Sequence, residues 1–236
     1  MAGKYFKIAC WVVASMGWVL PTLAADQTLK ITHLSGNAFI GATVNGPWED
    51  VKVGLYVAVG RFIKTMPDSY LEFTLPDHSV IRLAPETIFE IETAQFNAKQ
   101  PRHFLATLYL GKMWANVIWR IGNSNDSFKT CTSTMVAGVR GTVYDLRTAA
   151  DRSTDIWVYD GLMAINPPIV KESAAHEEIE WPRQVSESEW EEIILGKLQR
   201  LHIGPEGIPE KPISFDPYKE KDDWAAWNLE RDTANN

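Results

Sequence analysis

"YLEFTLPDHSVIRLAPETIFEI", residues 70–91, decides the fold. Leu71, Phe73 and Leu75 alternate with Tyr70, Glu72 and Thr74, the period of a strand with one buried face. Pro76 suits the first corner of the turn that follows. Ile81 and Leu83 resume the inward face, and Phe89 and Ile91 repeat it with Glu90 and Glu92 outward. Three strands within so short a stretch leave no room for a helix.

The same pattern continues on both sides. "HFLATLYL" (103–110) is expected to end at Gly111-Lys112, with "MWANVIW" (113–119) as the next strand. "DIWVY" (155–159) and "LMAI" (162–165) are expected to form a hairpin with its turn at Asp160-Gly161. Residues 29–166 therefore form an all-β domain of short strands. Residues 167–185 carry prolines and charges and are expected to be a linker. Residues 186–203 are expected to form an amphipathic helix: Ser186 and Glu189 match a capping box, and Trp190, Ile193, Ile194, Leu198 and Leu201 make one apolar stripe. That stripe would dock on the β-domain or on a partner. Residues 204–236 form an irregular tail rich in proline and charge, which Trp224 and Trp227 are expected to pin to the domain.

The first residues differ from everything after them. Lys4 and Lys7 precede an uncharged apolar run, and Thr22 and Ala24 supply small residues before a cleavage point. Residues 1–24 thus have the three parts of a secretory signal peptide, with cleavage after Ala24 or alternatively Ala25. An uncleaved anchor is the other reading, but the run is short of the ~20 residues of a membrane span. Losing Lys4 and Lys7 takes the net charge from −7 to −9. So acidic a chain lacks the basic face that nucleic acid requires, and no later stretch is apolar enough to insert in a membrane. Export would leave Cys131 as the lone cysteine, which cannot form an internal disulfide and is expected to be a small core residue.

The usual catalytic patterns are missing from the sequence. The five histidines have no zinc-site spacing, and there is neither a Gly-x-Ser-x-Gly elbow nor a phosphate loop. Glu90 and Glu92 share one strand face, which would suit acid/base cleavage of a glycan. A solvated strand face produces the same pattern without any chemistry. No catalytic residue, metal ligand or cofactor site is expected. Trp114 and Trp119, five apart, must lie on opposite strand faces. With Trp190 they are the candidate contacts to a partner protein or glycan.

The most distinctive motif is "VAGVRGTVYDLRT", 136–148. Arg140 lies between Gly138 and Gly141, and glycine marks close approach or positive φ. A crowded guanidinium needs carboxylates, and Asp145 and Asp160 are the expected partners. The alternative is an anion clamp. The structural reading makes Arg140 a fold residue.

Taken in order, these motifs resemble the FecR-domain family over roughly residues 30–166. "VGRFIKT" (Gly60 to Thr65), the strand–turn–strand of 70–91, "LYLGKMWANV" (108–117), Val139-Arg140-Gly141-Thr142, and Val158, Asp160 and Gly161 carry the resemblance. His78 stands where the family's turn often has glycine. The resemblance implies an exported all-β domain of rolled or solenoid-like strands without enzymatic activity. It implies Gly138 to Thr142, Asp160 and Gly161 as structural motif residues. The chain lacks the anti-sigma helices, the internal membrane segment and the second signalling domain of the best-known members. The expected function is a non-catalytic binding or scaffold module of the cell envelope, periplasmic or secreted, with a protein or polysaccharide partner. An envelope-glycan hydrolase and a sensor with its membrane part on another chain are the alternatives.

Overall fold

The structure is a computed structural model and describes residues 28–97, 99–118, 125–168 and 191–234. In chain order the first strands are β1 (Thr28–Ser35), β2 (Ala38–Gly41), β3 (Trp48–Asp50), β4 (Tyr56–Ala58), β5 (Arg61–Thr65), β6 (Tyr70–Thr74), β7 (Val80–Leu83) and β8 (Ile88–Gln95). Then come β9 (His103–Asn116), β10 (Ser127–Cys131), β11 (Val136–Thr148), β12 (Thr154–Asn166), β13 (Ile193–Leu195), β14 (Gln199–Ile203), β15 (Ile213–Ser214) and the helix α1 (Asp223–Ala234). The expected all-β architecture is present as one open sheet folded over on itself.

Three long strands make the fold-over. The first half of β9 pairs with β8 and β10, and its second half with β7 and β11. β11 leaves β10 after Gly138 and joins β9 at Val143. β12 pairs with β14 through Val158 and with β13 from Met163. The result is two layers. Layer I runs β4-β1-β6-β7-β9-β11-β12-β14-β15, and layer II runs β3-β2-β5-β8-β9-β10-β11-β12-β13. All pairs are antiparallel except β9 with β10.

Each long strand bends at a glycine of positive φ: Gly111 (+95°), Gly141 (+59°) and Gly161 (+88°). A side chain there would be strained, and at Gly161 a Cβ would also lie 2.3 Å from the Gly141 carbonyl oxygen. These positions correct two expectations. Gly111 does not end a strand, and Asp160-Gly161 is no hairpin turn but a bulge inside β12, opposite Val143. A bulge and a hairpin turn use the same Asp-Gly chemistry, so local sequence does not distinguish them. His78 takes the left-handed conformation (φ +69°) in the turn between β6 and β7.

The core lies between the layers. Phe73 of layer I meets Phe89 of layer II with ring centroids 5.8 Å apart. Tyr144 and Thr130 bond hydroxyl to hydroxyl across it at 2.7 Å. Leu71, Phe73, Ile81, Leu83, Phe89 and Ile91 are all buried, as their alternation requires.

The helix expected at 186–203 is not formed where the chain is described. Residues 193–195 and 199–203 are β13 and β14, joined by a turn at Gly196-Lys197-Leu198. Leu195, Leu201 and Ile203 are buried while Ile194 is exposed, a strand alternation hidden within a helical stripe. The open edge of β12 satisfies these backbone groups, and tertiary pairing outweighs local propensity. The helix instead occupies the supposedly irregular tail. Asp222 caps it by accepting the Ala225 N–H at 2.9 Å, and Trp224 and Trp227 pin it to layer I. The expected signal peptide (1–24), Trp119, Trp190 and nearly all of the expected linker (167–185) lie outside the described residues.

Candidate functional site

The outer face of layer II holds a groove of about 750 Å³ across β10 to β13. Its geometry follows from register, because residues directly opposite across a ladder point to one face. One row is Leu105, Lys129, Gly138, Ala164 and Ile194, and Arg140 stands opposite Leu162 in the next. Gly138 and Ala164 form a low floor. Leu162 (61% exposed) and Ile194 (54%) rise as one wall, and Lys129 and Arg140 reach solvent beside them.

This placement separates the residues of the 136–148 motif. Arg140 is exposed rather than crowded between its two glycines. Asp145 is buried and bonded to Arg147 and Trp224, and Asp160 pairs with Lys197 at 2.8 Å. The fold is held here by glycine and threonine. Gly141 and Gly161 make the bulge, and Thr142 donates its hydroxyl to the Leu162 carbonyl at 2.7 Å. Gly138 differs from both: it lacks a positive φ, and a Cβ there would meet only the Ala164 oxygen at 3.8 Å. The backbone does not require glycine at 138, whereas a groove floor does. Val139, the neighbour of Gly138, points into the core.

The outer face of layer I is closed by α1. Register places Glu72, Arg82, Trp114, Asp145, Trp157 and Arg200 in one row across six strands. Arg82 is wholly buried, with Glu72 at 2.8 Å and Asp232 of α1 at 2.7 Å. Trp114 is also wholly buried and donates its indole N–H to Asp232 at 3.0 Å, so it is no partner contact. Tyr70, Trp224 and Trp227 stack over the row. The signal for α1 was present in "DDWAAWNLERD" (222–232): a capping Asp, helix-forming residues and two Trp three apart.

Burial acts to raise the Glu72 carboxyl, but hydrogen bonds from Arg82, Thr32 and Arg231 outweigh it and hold it below its usual range. Asp222 is likewise raised by burial and more strongly lowered by the Ala225 N–H and Arg147. Asp145 is pushed up, because its complete burial outweighs Arg147 and Trp224. The signs therefore differ. Glu72 and Asp222 contribute stability that is present above the unfolded carboxyl range and is lost as pH falls through their depressed values, while protonation of Asp145 favours the fold. We expect the melting temperature to fall between roughly pH 5 and pH 3, with Glu72→Gln flattening part of that dependence. An unchanged pH profile in the variant would contradict the assignment.

Residues 61–163 match the model of the family described as FecR protein. The chain carries a FecR domain. That domain runs from β5 into β12 and includes all three glycine bends and every groove residue but Ala164 and Ile194. Two crystal structures of a candidate anti-sigma factor from Parabacteroides distasonis ATCC 8503 are similar to the chain, with TM-scores of 0.46 and 0.47 and identities of 15% and 17%. Each match covers 66% of this chain and 60% of the other, so the chain spans less than two thirds of those proteins' resolved length. No curated protein matches it. Among the described residues there is no group of three or more side chains able to hold a metal ion, and no helix is long and apolar enough to cross a membrane.

Proposed function

We propose that this FecR domain is a non-catalytic recognition module of the cell envelope. On this reading it is exported by residues 1–24 and holds an acidic, partly apolar segment of a partner protein in the layer II groove. The observation that carries the reading is the groove itself. Exposed Leu162 and Ile194 stand beside exposed Lys129 and Arg140, over a floor left empty by Gly138, on a chain of net charge −7. The groove lining carries two cations, Lys129 and Arg140, against one carboxylate, Asp126, and on an acidic body this favours a segment of opposite charge and disfavours misplaced neighbours. Its role would be that of a ligand-sensing or adaptor component in signalling.

Crosslinking from whole cells with a tagged chain tests it. Arg140→Glu and Gly138→Glu should each lose the partner that wild type enriches, with melting temperatures within about 2 °C of wild type. Retention of the same partner by both folded variants would overturn the reading. Hydrolysis is tested on the same preparations: release of reducing ends from envelope polymers, abolished by Glu90→Gln, would overturn the non-catalytic part.

A further inference from the structure

A second feature of layer II lies away from the groove, toward β3. Register places Trp48, Gly41, Phe62, Glu90 and Thr107 in one row on the outer face, across β3, β2, β5, β8 and β9. Their chain neighbours Ile40, Ile63, Phe89 and Ile91 point the other way into the core. Trp48, Phe62 and Tyr109 are each half-buried, so ring surface faces solvent. Phe62 and Tyr109 sit with centroids 5.8 Å apart, tilted by 32°.

The rings are held in place. A Cβ on Gly41 would lie 3.0 Å from Cε3 of Trp48, and one on Gly46 would lie 2.9 Å from its Cδ1. The indole therefore rests against two glycines and has little freedom to turn. The polar groups are equally oriented. Tyr109 donates its hydroxyl to Glu90 at 2.6 Å, and Thr107 donates to Glu92. The Glu90 carboxylate is aimed by the Tyr109 hydroxyl and has further lone pairs to offer.

We infer that this row is a binding platform for a neutral glycan chain. The C–H faces of pyranose rings pack on aromatic faces, and ring hydroxyls donate to fixed carboxylates. Trp48 stands on β3 and Phe62 on β5, with the indole over Gly41 of the strand between them, so aromatic surface runs across three neighbouring strands. Glu90 and Glu92 repel uronate and phosphate polymers, which selects uncharged sugars. Rings already seated in position lose little entropy on binding. The site is separate from the groove proposed for a protein partner and does not depend on it.

Titration calorimetry with chitohexaose and cellohexaose, and with polygalacturonate as the anionic control, tests the inference. At least one neutral oligomer should bind with a Kd below about 1 mM, and polygalacturonate should not. Trp48→Ala should weaken binding about tenfold or more, at the level of a lost stacking partner. Phe62→Ala is the second variant, should Trp48→Ala fail to fold. No binding of either neutral oligomer to folded wild type, or equal binding by a folded ring variant, would overturn it.

Discussion

Gly161→Ala is expected to destabilise the domain by about 3 kcal/mol or more, while Gly138→Ala stays within about 0.5 kcal/mol of wild type. The two glycines lie on neighbouring strands of the same motif region, but they do different things. At Gly161 the backbone has φ +88°, and an added Cβ would meet the Gly141 oxygen at 2.3 Å and the Thr142 Cα at 2.9 Å. Both contacts are backbone, so neither can be relieved by a side-chain rotation. The bulge carries β12 from layer I to layer II, and straightening it would part β12 from β13 or from β14. For a chain of this size the loss is a fall of about 6–12 °C in melting temperature. At Gly138 the φ is ordinary and the space is open, so alanine adds only a methyl group to the groove floor. Thermal melts of the two variants side by side check the assignment. Equal effects would show that the two positions do not divide into fold and surface as argued.

Arg82→Ala is expected to cost about 3–5 kcal/mol, the penalty for breaking a buried ion pair and leaving its partners unmatched. Arg82 is fully buried and joins Glu72 to Asp232, so its loss leaves two carboxylates under α1 with one cation fewer. Arg231 still reaches Glu72 at 3.0 Å, but its side chain is 29% exposed and it does not bridge to Asp232 in Arg82's place. The helix has a weak apolar face of its own and is held by Trp224, Trp227 and these ion pairs. We therefore expect α1 to loosen first, with Trp114, buried beneath it, becoming accessible to a quencher. Arg82→Met tests the electrostatic part separately, since methionine restores the apolar stem without the charge. If Arg82→Ala melts like wild type, the buried row does not hold the helix.

Much of this is legible in the sequence. Alternation at 70–91 assigned β6, β7 and β8 their inward residues, because period two leaves one choice of buried face. The motif order pointed to the FecR family. The meaning of Asp160-Gly161 was not legible: a turn and a bulge ask for the same residues, and only the partner strands decide between them. Nor was the fate of residues 193–203, where an apolar stripe fits two periods and the free edge of β12 selects the strand. Trp114 could be assigned a face but not a cover, since the cover arrives from a helix more than a hundred residues away.

The sequence by itself determined the all-β class and the inward faces of β6, β7 and β8, because these follow from periodicity, and its motif order carried the resemblance to the FecR domain. Tertiary structure alone decided which outer face is closed and which is open. α1 shields the charged row of layer I through contacts between residues distant in the chain, while cross-strand register gathers Lys129, Gly138, Arg140 and Leu162 into one groove and Trp48, Phe62 and Glu90 into one row. Register is a property of paired strands, and no single strand carries it.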